Sequence, residues 1–357
     1  MSESNVRVAV IGCGAQGRNH LKAYRAHADV EIVAICDLSD ERRQQAAREY
    51  GVPNHFADYR DLLAAGSYDI VSICTMPVSH REMVVAAFAG GANVICEKPM
   101  ALNLAEAISM ARAAQDANRF LTLGFNMRFL PGAQILHNYV AEGHLGTLIS
   151  SRAWTVATDI PWWGKHYVKE ISGGGVLAST AVHILDLAMW VSGGRQPTTV
   201  SASMNRVFPR KRAVTAPTPE AAATFDVEDT FSGHVRFDDG TWMELSGAWS
   251  ADQPKYSYSF ELAGDASTIQ FAPLRIVAER DGLPVDITPS GMPANETGMS
   301  DWGPSVVAEI ADVVAAVRAG RTPLVKVEEA LKVQSIVDAL YRSADLRREV
   351  EVHAPVV

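Results

Sequence analysis

The segment that most constrains the fold lies at the N-terminus, where a strand pattern meets a glycine-rich turn. Residues 8–11, Val-Ala-Val-Ile, form an apolar run typical of a buried parallel strand, and Gly12, Gly14 and Gly17 follow at GxGxxG spacing. In this arrangement the first glycine permits a tight turn, the second lets the backbone approach a pyrophosphate, and the third lets helix and strand pack closely. The backbone around Ala15 and Gln16 would offer N–H groups to the phosphates.

The next strand favours one form of the dinucleotide. A second apolar run, Val30 to Cys36, ends at Asp37 and completes a strand-helix-strand unit after the glycines. An acid at this strand tip accepts hydrogen bonds from ribose hydroxyls and repels a 2′-phosphate, so NAD is favoured over NADP. Arg42 and Arg43 lie nearby and leave NADP open as the alternative.

Composition restricts the class of partner. The 357 residues are enough for about two domains, and 41 acidic against 32 basic side chains give a formal charge of -9. That balance disfavours nucleic acid and anionic membranes, and no stretch approaches a continuous apolar membrane span. We expect a cytoplasmic protein with a small-molecule partner.

The cysteines do not indicate a metal site. Their spacing differs from the CxxC pairs of zinc sites, and each falls in or beside a predicted strand. We expect buried free thiols and no bound metal. The four residues are Cys13, Cys36, Cys74 and Cys96.

The pattern of elements predicts two domains. Up to residue 124 strands alternate with helices, which indicates a doubly wound, six-stranded parallel sheet with right-handed crossovers. From residue 125 to 357 the strands follow one another, which indicates an α/β domain on a large, mostly antiparallel open sheet. The expected strands there are Leu148–Thr155, Thr199–Val207, Thr230–Phe237, Thr241–Trp249 and Tyr256–Leu262, and one expected helix is Val176–Trp190. An apolar face on this sheet would join homodimers or homotetramers.

A lysine stands at the carboxyl end of a predicted strand. Residues 92–96 are followed by Glu97, Lys98 and Pro99, and ligands of doubly wound sheets bind outside such strand ends. Oxidation of a secondary alcohol requires a group that takes the hydroxyl proton, which suits a partly desolvated lysine. His183 titrates near neutrality and is the natural second member, relaying the proton or fixing the hydroxyl.

These motifs together resemble the Gfo/Idh/MocA oxidoreductases, which include inositol dehydrogenases and glucose-fructose oxidoreductases. The resemblance covers nearly the whole chain and implies that Lys98 and His183 face the nicotinamide and the reacting carbinol, with a Lys98-Pro99 bond that is often cis. It also implies that the segment from Thr75 to His80, with Glu97, lies beside the cofactor. The remaining matches are His20, Arg128-Phe129, Gly173-Gly174-Gly175, Asp186 and Glu228-Asp229.

The chain departs from the family pattern at two positions. In the segment from Thr75 to His80, Pro77 falls one position later than in the usual Thr-Pro pair. The other departure lies before His183. Many members carry an aspartate four residues before the histidine, where this chain has Ser179. Ser179 can still bond the substrate or the imidazole of His183, but it supplies no negative charge. Asp186 is an alternative partner for that ring, or a structural residue.

The substrate class is predicted from an aromatic segment before the triple glycine. Trp163, Lys165, His166 and Tyr167 offer aromatic faces and polar edges that suit sugars and cyclic polyols. Asn126 and Arg128 are further candidate contacts. The main hypothesis is an NAD-dependent dehydrogenase acting on a ring hydroxyl of a sugar or inositol-like polyol. The alternatives are a keto-sugar reductase, a redox-assisted eliminase or hydrolase that recycles NAD, and a ligand-sensing regulator without catalysis.

Overall fold

The computed structural model describes residues 5–208, 216–249, 257–290 and 303–355. Within these ranges the chain forms two compact units, one from Met1–Asn126 with Trp302–Leu331 and the other from Met127–Asp301 with Lys332–Pro355. Each unit has its own sheet. The predicted combination of a doubly wound domain and a second α/β domain is confirmed.

The elements are numbered in chain order. The strands are β1 (Val6–Ile11), β2 (Val30–Cys36), β3 (Asn54–Phe56), β4 (Ile70–Ile73), β5 (Asn93–Cys96), β6 (Leu121–Leu123), β7 (Leu148–Val156), β8 (Pro197–Asn205), β9 (Thr230–Phe237), β10 (Trp242–Ala248), β11 (Ser257–Gly264), β12 (Ser267–Gln270), β13 (Arg275–Arg280), β14 (Leu283–Asp286) and β15 (Val350–Glu351). The α-helices are α1 (Ala15–Arg25), α2 (Asp40–Tyr50), α3 (Tyr59–Ala64), α4 (Pro77–Ala89), α5 (Leu104–Asp116), α6 (Pro131–Ala141), α7 (Lys169–Ser172), α8 (Val182–Val191), α9 (Pro219–Thr224), α10 (Gly303–Ala319) and α11 (Val327–Leu346).

The first unit contains a parallel sheet with the strand order β3-β2-β1-β4-β5-β6. This is the order of a dinucleotide-binding sheet, in which the strand order reverses between β1 and β4 and the ligand crevice opens at that point. The short edge strand β3 is the one whose bounds the sequence pattern did not give, because its three residues are too few to show a period. The six-stranded expectation is confirmed.

The core of the first unit includes a helix from late in the chain. Val306, Ile310 and Val313 of α10 are buried in the same cluster as Leu21 and Tyr24 of α1. The division of the chain therefore differs from the expected boundary, which gave everything after residue 124 to the second domain. Burial of the apolar face of α10 against α1 returns residues 303–331 to the first unit.

The second unit contains a nine-stranded sheet with the order β14-β13-β12-β11-β7-β10-β9-β8-β15. Its pairs are antiparallel except for β10 with β7, as the mostly antiparallel expectation requires. The turn at Asp239 and Gly240 joins β9 to β10, with the Thr241 N–H donating to the Asp239 carboxylate over 2.9 Å. Tyr256, the first residue of one predicted strand, lies outside the described residues.

One face of this sheet differs from the expected apolar surface. Along β8, β9 and β10 the exposed positions alternate with buried ones and carry small polar or charged side chains. These exposed residues are Ser201, Ser203, Ser232, Glu244 and Ser246. The exposed side chains on this part of the sheet are therefore largely polar.

The most apolar stretch of the described chain lies inside the second unit. Lys169–Val191 is long and apolar enough to cross a membrane by length and composition alone, but 94% of its most apolar window is buried within the fold. A helix that is apolar on every side is expected wherever protein surrounds it. The stretch is therefore accounted for as a core helix.

Candidate active site

The glycine turn has the shape that a pyrophosphate needs. A Cβ on Gly12, whose φ is +96°, would lie 2.4 Å from the Cys74 carbonyl oxygen, and one on Gly17 would lie 1.8 Å from the Gly12 carbonyl oxygen. A Cβ on Gly14 would meet nothing within 4 Å, and no side chain caps the N–H groups that begin α1. Two glycines therefore permit close packing, and the third leaves open space before a helix N-terminus, which fits a dinucleotide phosphate.

Asp37 is held rigidly at the end of β2. Its carboxylate accepts hydrogen bonds from the N–H of Cys13 over 2.8 Å and of Ser39 over 2.7 Å. The exposed guanidinium of Arg42 lies 3.2 Å from the same carboxylate, and Arg43 donates to the Asp37 carbonyl oxygen. Asp37 is therefore fixed at the end of β2 beside two arginines, and its contact with the ribose stays a prediction.

The segment after β4 is fixed by His80. This buried ring places Nε2 3.1 Å from the Thr75 carbonyl oxygen and Nδ1 3.0 Å from the Pro99 carbonyl oxygen. Burial lowers the pKa of His80. His80 was expected to contact the cofactor, but its ring nitrogens face backbone carbonyls, so its role is to join two loops. Thr75 itself is partly exposed beside the Gly12 turn.

Lys98 follows β5 and is joined to Pro99 by a cis peptide bond. Burial lowers the pKa of its amine, while the neighbouring Glu97 carboxylate acts in the opposite direction. Glu97 is 4% exposed and accepts hydrogen bonds from Gln16 and His20 of α1. The side chains of Gln16 and Glu97, both expected beside the cofactor, are therefore hydrogen-bonded to each other. Lys98 is a partly exposed residue next to them.

In the second unit His183 lies in the first turn of α8, directly after an irregular helical segment. Val176–Ala181 is a π-helix, in which the Val182 N–H reaches the Leu177 carbonyl, so the predicted continuous α-helix is wrong over these six residues. His183 is the only residue of α8 that is not buried. Its ring stands edge-on to Tyr258, with 6.5 Å between centroids. An accessible imidazole on an otherwise buried helix is a strong candidate for chemistry.

The triple glycine allows two polar groups to reach the start of this helix. A Cβ on Gly174 would lie 1.8 Å from the Tyr341 hydroxyl, and one on Gly175 would lie 1.8 Å from the Glu228 carbonyl oxygen. The Glu228 carboxylate accepts from the N–H of Gly175 and of Leu177, each over 2.9 Å, and from Tyr341 over 2.9 Å. Burial raises the pKa of Glu228. Sequence reasoning missed Tyr341, because nothing local relates residues 113 positions apart.

Ser179 lies on the π-helix and has a histidine neighbour. Its hydroxyl is 3.3 Å from Nδ1 of the buried His166 and donates to the Gly174 carbonyl over 3.3 Å. His166 therefore lies beside the position where the family's aspartate is replaced. The sequence offered it only as one of several hydrogen-bonding groups in the aromatic segment.

Arg128 and Asp186 form a buried ion pair. The guanidinium donates to both carboxylate oxygens over 2.9 and 2.6 Å, and both side chains are 1% exposed. This bidentate contact ties residues 126–129, a 3₁₀ turn, to α8. We therefore assign both residues to the support of α8. Arg128 was expected to contact substrate, and Asp186 was an alternative partner for the ring of His183, but here they bind each other.

The aromatic segment separates into accessible and buried members. Trp163 is 64% exposed and contacts His166, and Lys165 is exposed with a φ of +58°. Tyr167 is buried against Phe225, and Asn126 is 2% exposed with its amide donating to Ser305 over 2.8 Å. Trp163 and Lys165 therefore remain candidate substrate contacts, whereas Tyr167 and Asn126 are packed inside their units.

The cysteines are free thiols, as expected. Burial raises the pKa of Cys13 and of Cys36 to about 12, so neither is a nucleophile near neutral pH. Across the described ranges, no group of three or more His, Cys, Asp or Glu side chains has the geometry to hold a metal ion.

Comparison with known proteins defines the class. Residues 6–125 match the family described as "Oxidoreductase family, NAD-binding Rossmann fold", and residues 133–270 match the "GFO/IDH/MocA C-terminal domain". The chain belongs to the Gfo/Idh/MocA family of oxidoreductases, with an NAD-binding first domain. The cradle at Gly14 and the acid at Asp37 fit that cofactor.

Individual relatives are similar over the full length. D-glucoside 3-dehydrogenase of Escherichia coli (strain K12) is 28% identical over 357 residues, covering 99% of each chain. D-apiose dehydrogenase of Paraburkholderia graminis is 29% identical and covers 96% of this chain and 89% of its own. The structure of a levoglucosan dehydrogenase in complex with NADH and levoglucosan has a TM-score of 0.85 at 24% identity, over 98% of this chain and all of the other. That last likeness concerns the fold.

Proposed function

We propose that this protein oxidises a ring hydroxyl of a sugar or cyclic polyol with NAD as hydride acceptor. The observation that carries the proposal is the placement of Lys98, a partly exposed residue, at the carboxyl end of β5, where burial lowers the pKa of its amine. A lowered pKa increases the fraction of the lysine that is neutral, which is the form that can accept a proton. Bound NAD would supply the hydride acceptor, held by the turn at Gly12, Gly14 and Gly17 and by Asp37.

Two side chains would manage the hydroxyl proton. The neutral amine of Lys98 accepts the proton as the carbinol carbon is oxidised, and its ammonium form stabilises developing negative charge on the oxygen in the reverse direction. His183 holds the hydroxyl or passes the proton onward, since its imidazole is the accessible group on α8. Ser179 replaces a carboxylate with a neutral hydroxyl, which lies 3.3 Å from Nδ1 of His166.

The proposed substrate is a pyranose or a ring of similar shape. Trp163 presents an exposed indole that can pack on the C–H face of a ring, and Lys165 offers a donor next to it. Relatives similar over nearly the whole chain bear the names D-glucoside 3-dehydrogenase and D-apiose dehydrogenase, both carbohydrate dehydrogenases. These names support a sugar over an acyclic alcohol.

We also propose a homodimer or homotetramer joined through the second unit's sheet. The polar face of β8 to β10 means that hydrogen bonds and salt links would contribute more to such an interface than apolar burial. Light scattering during size-exclusion chromatography tests the assembly, and a monomer at micromolar concentration would refute it.

The activity is tested by NADH absorbance with purified protein, NAD and a panel of glucosides, free aldoses, levoglucosan and inositols, with NADP as a parallel arm. Accumulation of NADH on any ring substrate supports the proposal and identifies the ring class. Reduction of a 3-keto sugar by NADH without the forward reaction would favour the reductase alternative. Sugar conversion without net NADH would favour redox-assisted elimination or hydrolysis, and NAD binding without any conversion would favour a regulator.

A further inference from the structure

A chain of buried hydrogen bonds runs through the first unit toward the lysine turn. The Tyr24 hydroxyl lies 2.8 Å from Ser72 Oγ, and that oxygen lies 3.3 Å from Nδ1 of His20. Nε2 of His20 lies 3.1 Å from Glu97 Oε1. All four residues are buried, and they come from α1, β4 and the end of β5.

All the hydrogen bonds in this series run in one direction, from Tyr24 to Glu97, when the ring proton of His20 is on Nε2. Tyr24 then donates to Ser72, Ser72 donates to Nδ1, and Nε2–H donates to the Glu97 carboxylate. Gln16 adds a second donor to the same carboxylate oxygen over 3.0 Å. Glu97 is therefore held from α1 by two donors and remains an anion, and His20 and Lys98 help to lower its pKa despite burial.

Glu97 has little freedom to move. A Cβ on Gly124 would lie 2.8 Å from Glu97 Oε1, so the glycine at this position leaves room for the carboxylate and nothing larger. The other oxygen, Oε2, accepts from the backbone N–H of Lys98 over 3.3 Å. The negative charge is thus fixed against the residue that carries the amine.

Other titratable groups also lie around Glu97. Cys74 and Cys96 lie on the strand side, with the pKa of each raised well above its usual range by burial, so both are neutral thiols. His80 faces Glu97 from α4, and Glu309 of α10 faces Tyr24. Glu97 is the carboxylate that acts on the amine of Lys98.

We propose that His20 and Glu97 are positioning residues that set the charge state and placement of the Lys98 amine, coupling the dinucleotide-binding helix α1 to the proton-accepting lysine. The pair acts through Lys98 and does not touch substrate. The proposal rests on the proposed function only in the use made of Lys98, because the amine itself can be tested without substrate.

The direct test is the pH dependence of acylation of Lys98 by acetic anhydride in the full chain, followed by mass spectrometry of the peptide that contains it. Only the neutral amine reacts, so the rate reports its charge state. Glu97→Gln removes the anion that favours the ammonium form, and the rate of acylation below the plateau should rise several-fold as the profile moves to lower pH.

Two substitutions of His20 separate positioning from packing. His20→Gln keeps a donor that reaches Glu97 and should give the wild-type profile. His20→Asn keeps only a partner for Ser72, so the Glu97 carboxylate is held less firmly beside Lys98. Its pH profile of Lys98 acylation should therefore lie between those of wild type and Glu97→Gln. Equal profiles for the two His20 variants, or an unchanged profile in Glu97→Gln, would overturn the proposal.

Glu309→Gln is the matched control, since it removes another buried carboxylate of the same unit. It should change the melting temperature without moving the Lys98 profile, and a shift as large as that of Glu97→Gln would also count against the proposal. Once a ring substrate is found, the acidic limb of kcat/KM should move to lower pH in Glu97→Gln. Absence of any substrate would defeat the proposed function while leaving the acylation result intact.

Discussion

The two units position their candidate chemical groups in opposite ways. In the first unit an anionic carboxylate, Glu97, is buried and held by His20 and Gln16 next to Lys98. In the second unit the carboxylate near the candidate helix, Glu228, binds backbone N–H groups, and burial raises its pKa. The first arrangement supplies charge to a reacting group, whereas the second supplies caps to a helix end.

This difference shows that similar residue types need not have similar roles. Glu97 and Glu228 both stand in motifs of the family, and both are surrounded by protein. The hydrogen-bond donors around each carboxylate decide its role. A carboxylate held by cationic and other side-chain donors supplies charge to its neighbours, whereas one that accepts mainly from helix N–H groups holds the backbone in place. The following experiments test the contrast.

The largest expected effect is at Lys98. Lys98→Met keeps the length of the side chain but removes the amine, so turnover should fall roughly 10³-fold, the range of general acid–base catalysis. NAD binding, followed by a thermal shift, should persist. Lys22→Met alters an exposed lysine in the last turn of α1 and should leave both unchanged. A Lys98→Met enzyme with most of its activity would remove the basis of the mechanism.

The second unit should respond most strongly in stability. Arg128→Lys loses the bidentate contact with Asp186 in a buried setting, and we expect about 4 kcal/mol lower unfolding free energy in urea. Arg152→Lys, in a largely exposed pair with Glu261, should cost under about 1 kcal/mol. If Arg128 instead binds substrate, KM for the sugar will rise while stability stays near that of wild type.

Glycine substitutions should separate packing from cofactor binding. Gly17→Ala and Gly175→Ala each place a methyl group against a backbone carbonyl oxygen. Each substitution should lower the free energy of unfolding by about 3 kcal/mol. Gly14→Ala has open space and an ordinary φ of -69°, so the melting temperature should hold while KM for NAD rises. A normal KM for NAD in Gly14→Ala would mean that the phosphates do not approach this backbone.

The smallest effect, and the sharpest contrast, is in pH dependence. The pKa of Glu97 is lowered from 4.5, so its contribution to stability is present above that pH and is lost as pH falls through the folded-state value. The pKa of Glu228 is raised from 4.5, so the sign is opposite and stability is lost as pH rises through its folded-state value.

Thermal melting between acid and neutral pH measures this contrast. The melting temperature of wild type should exceed that of Glu97→Gln by less as pH falls below 4.5. The melting temperature of Glu228→Gln should rise relative to that of wild type as pH rises above 4.5. Parallel curves for the two variants would show that both carboxylates play the same part.

Local patterns predicted most of the first unit. Strand, turn and helix follow one another at the glycines, so the roles of Gly12, Gly14 and Gly17 and the placement of Asp37 can be predicted from spacing. Cofactor contacts could not be predicted equally well. Gln16 and His80 lie in the expected segments, but their polar atoms bind Glu97 and backbone carbonyls, which spacing alone does not reveal.

The second unit was less predictable because its contacts are distant in sequence. The π-helix at residues 176–181 forms where Glu228 caps its start, and Tyr341 completes the same group from α11. The pairing of Arg128 with Asp186 also depends on how residues 126–129 pack on α8. No periodicity in the chain encodes these pairs.

Local patterns are enough to predict most of the strands and helices, the dinucleotide-binding turn and the lysine at a strand end, because hydrophobic period and glycine spacing act over a few residues. Tertiary structure alone decided that α10 belongs to the first unit, that Glu97 is held by His20, and that Ser179 faces His166. Those outcomes depend on burial and hydrogen bonding between segments far apart in the chain, which are satisfied only once the chain has folded.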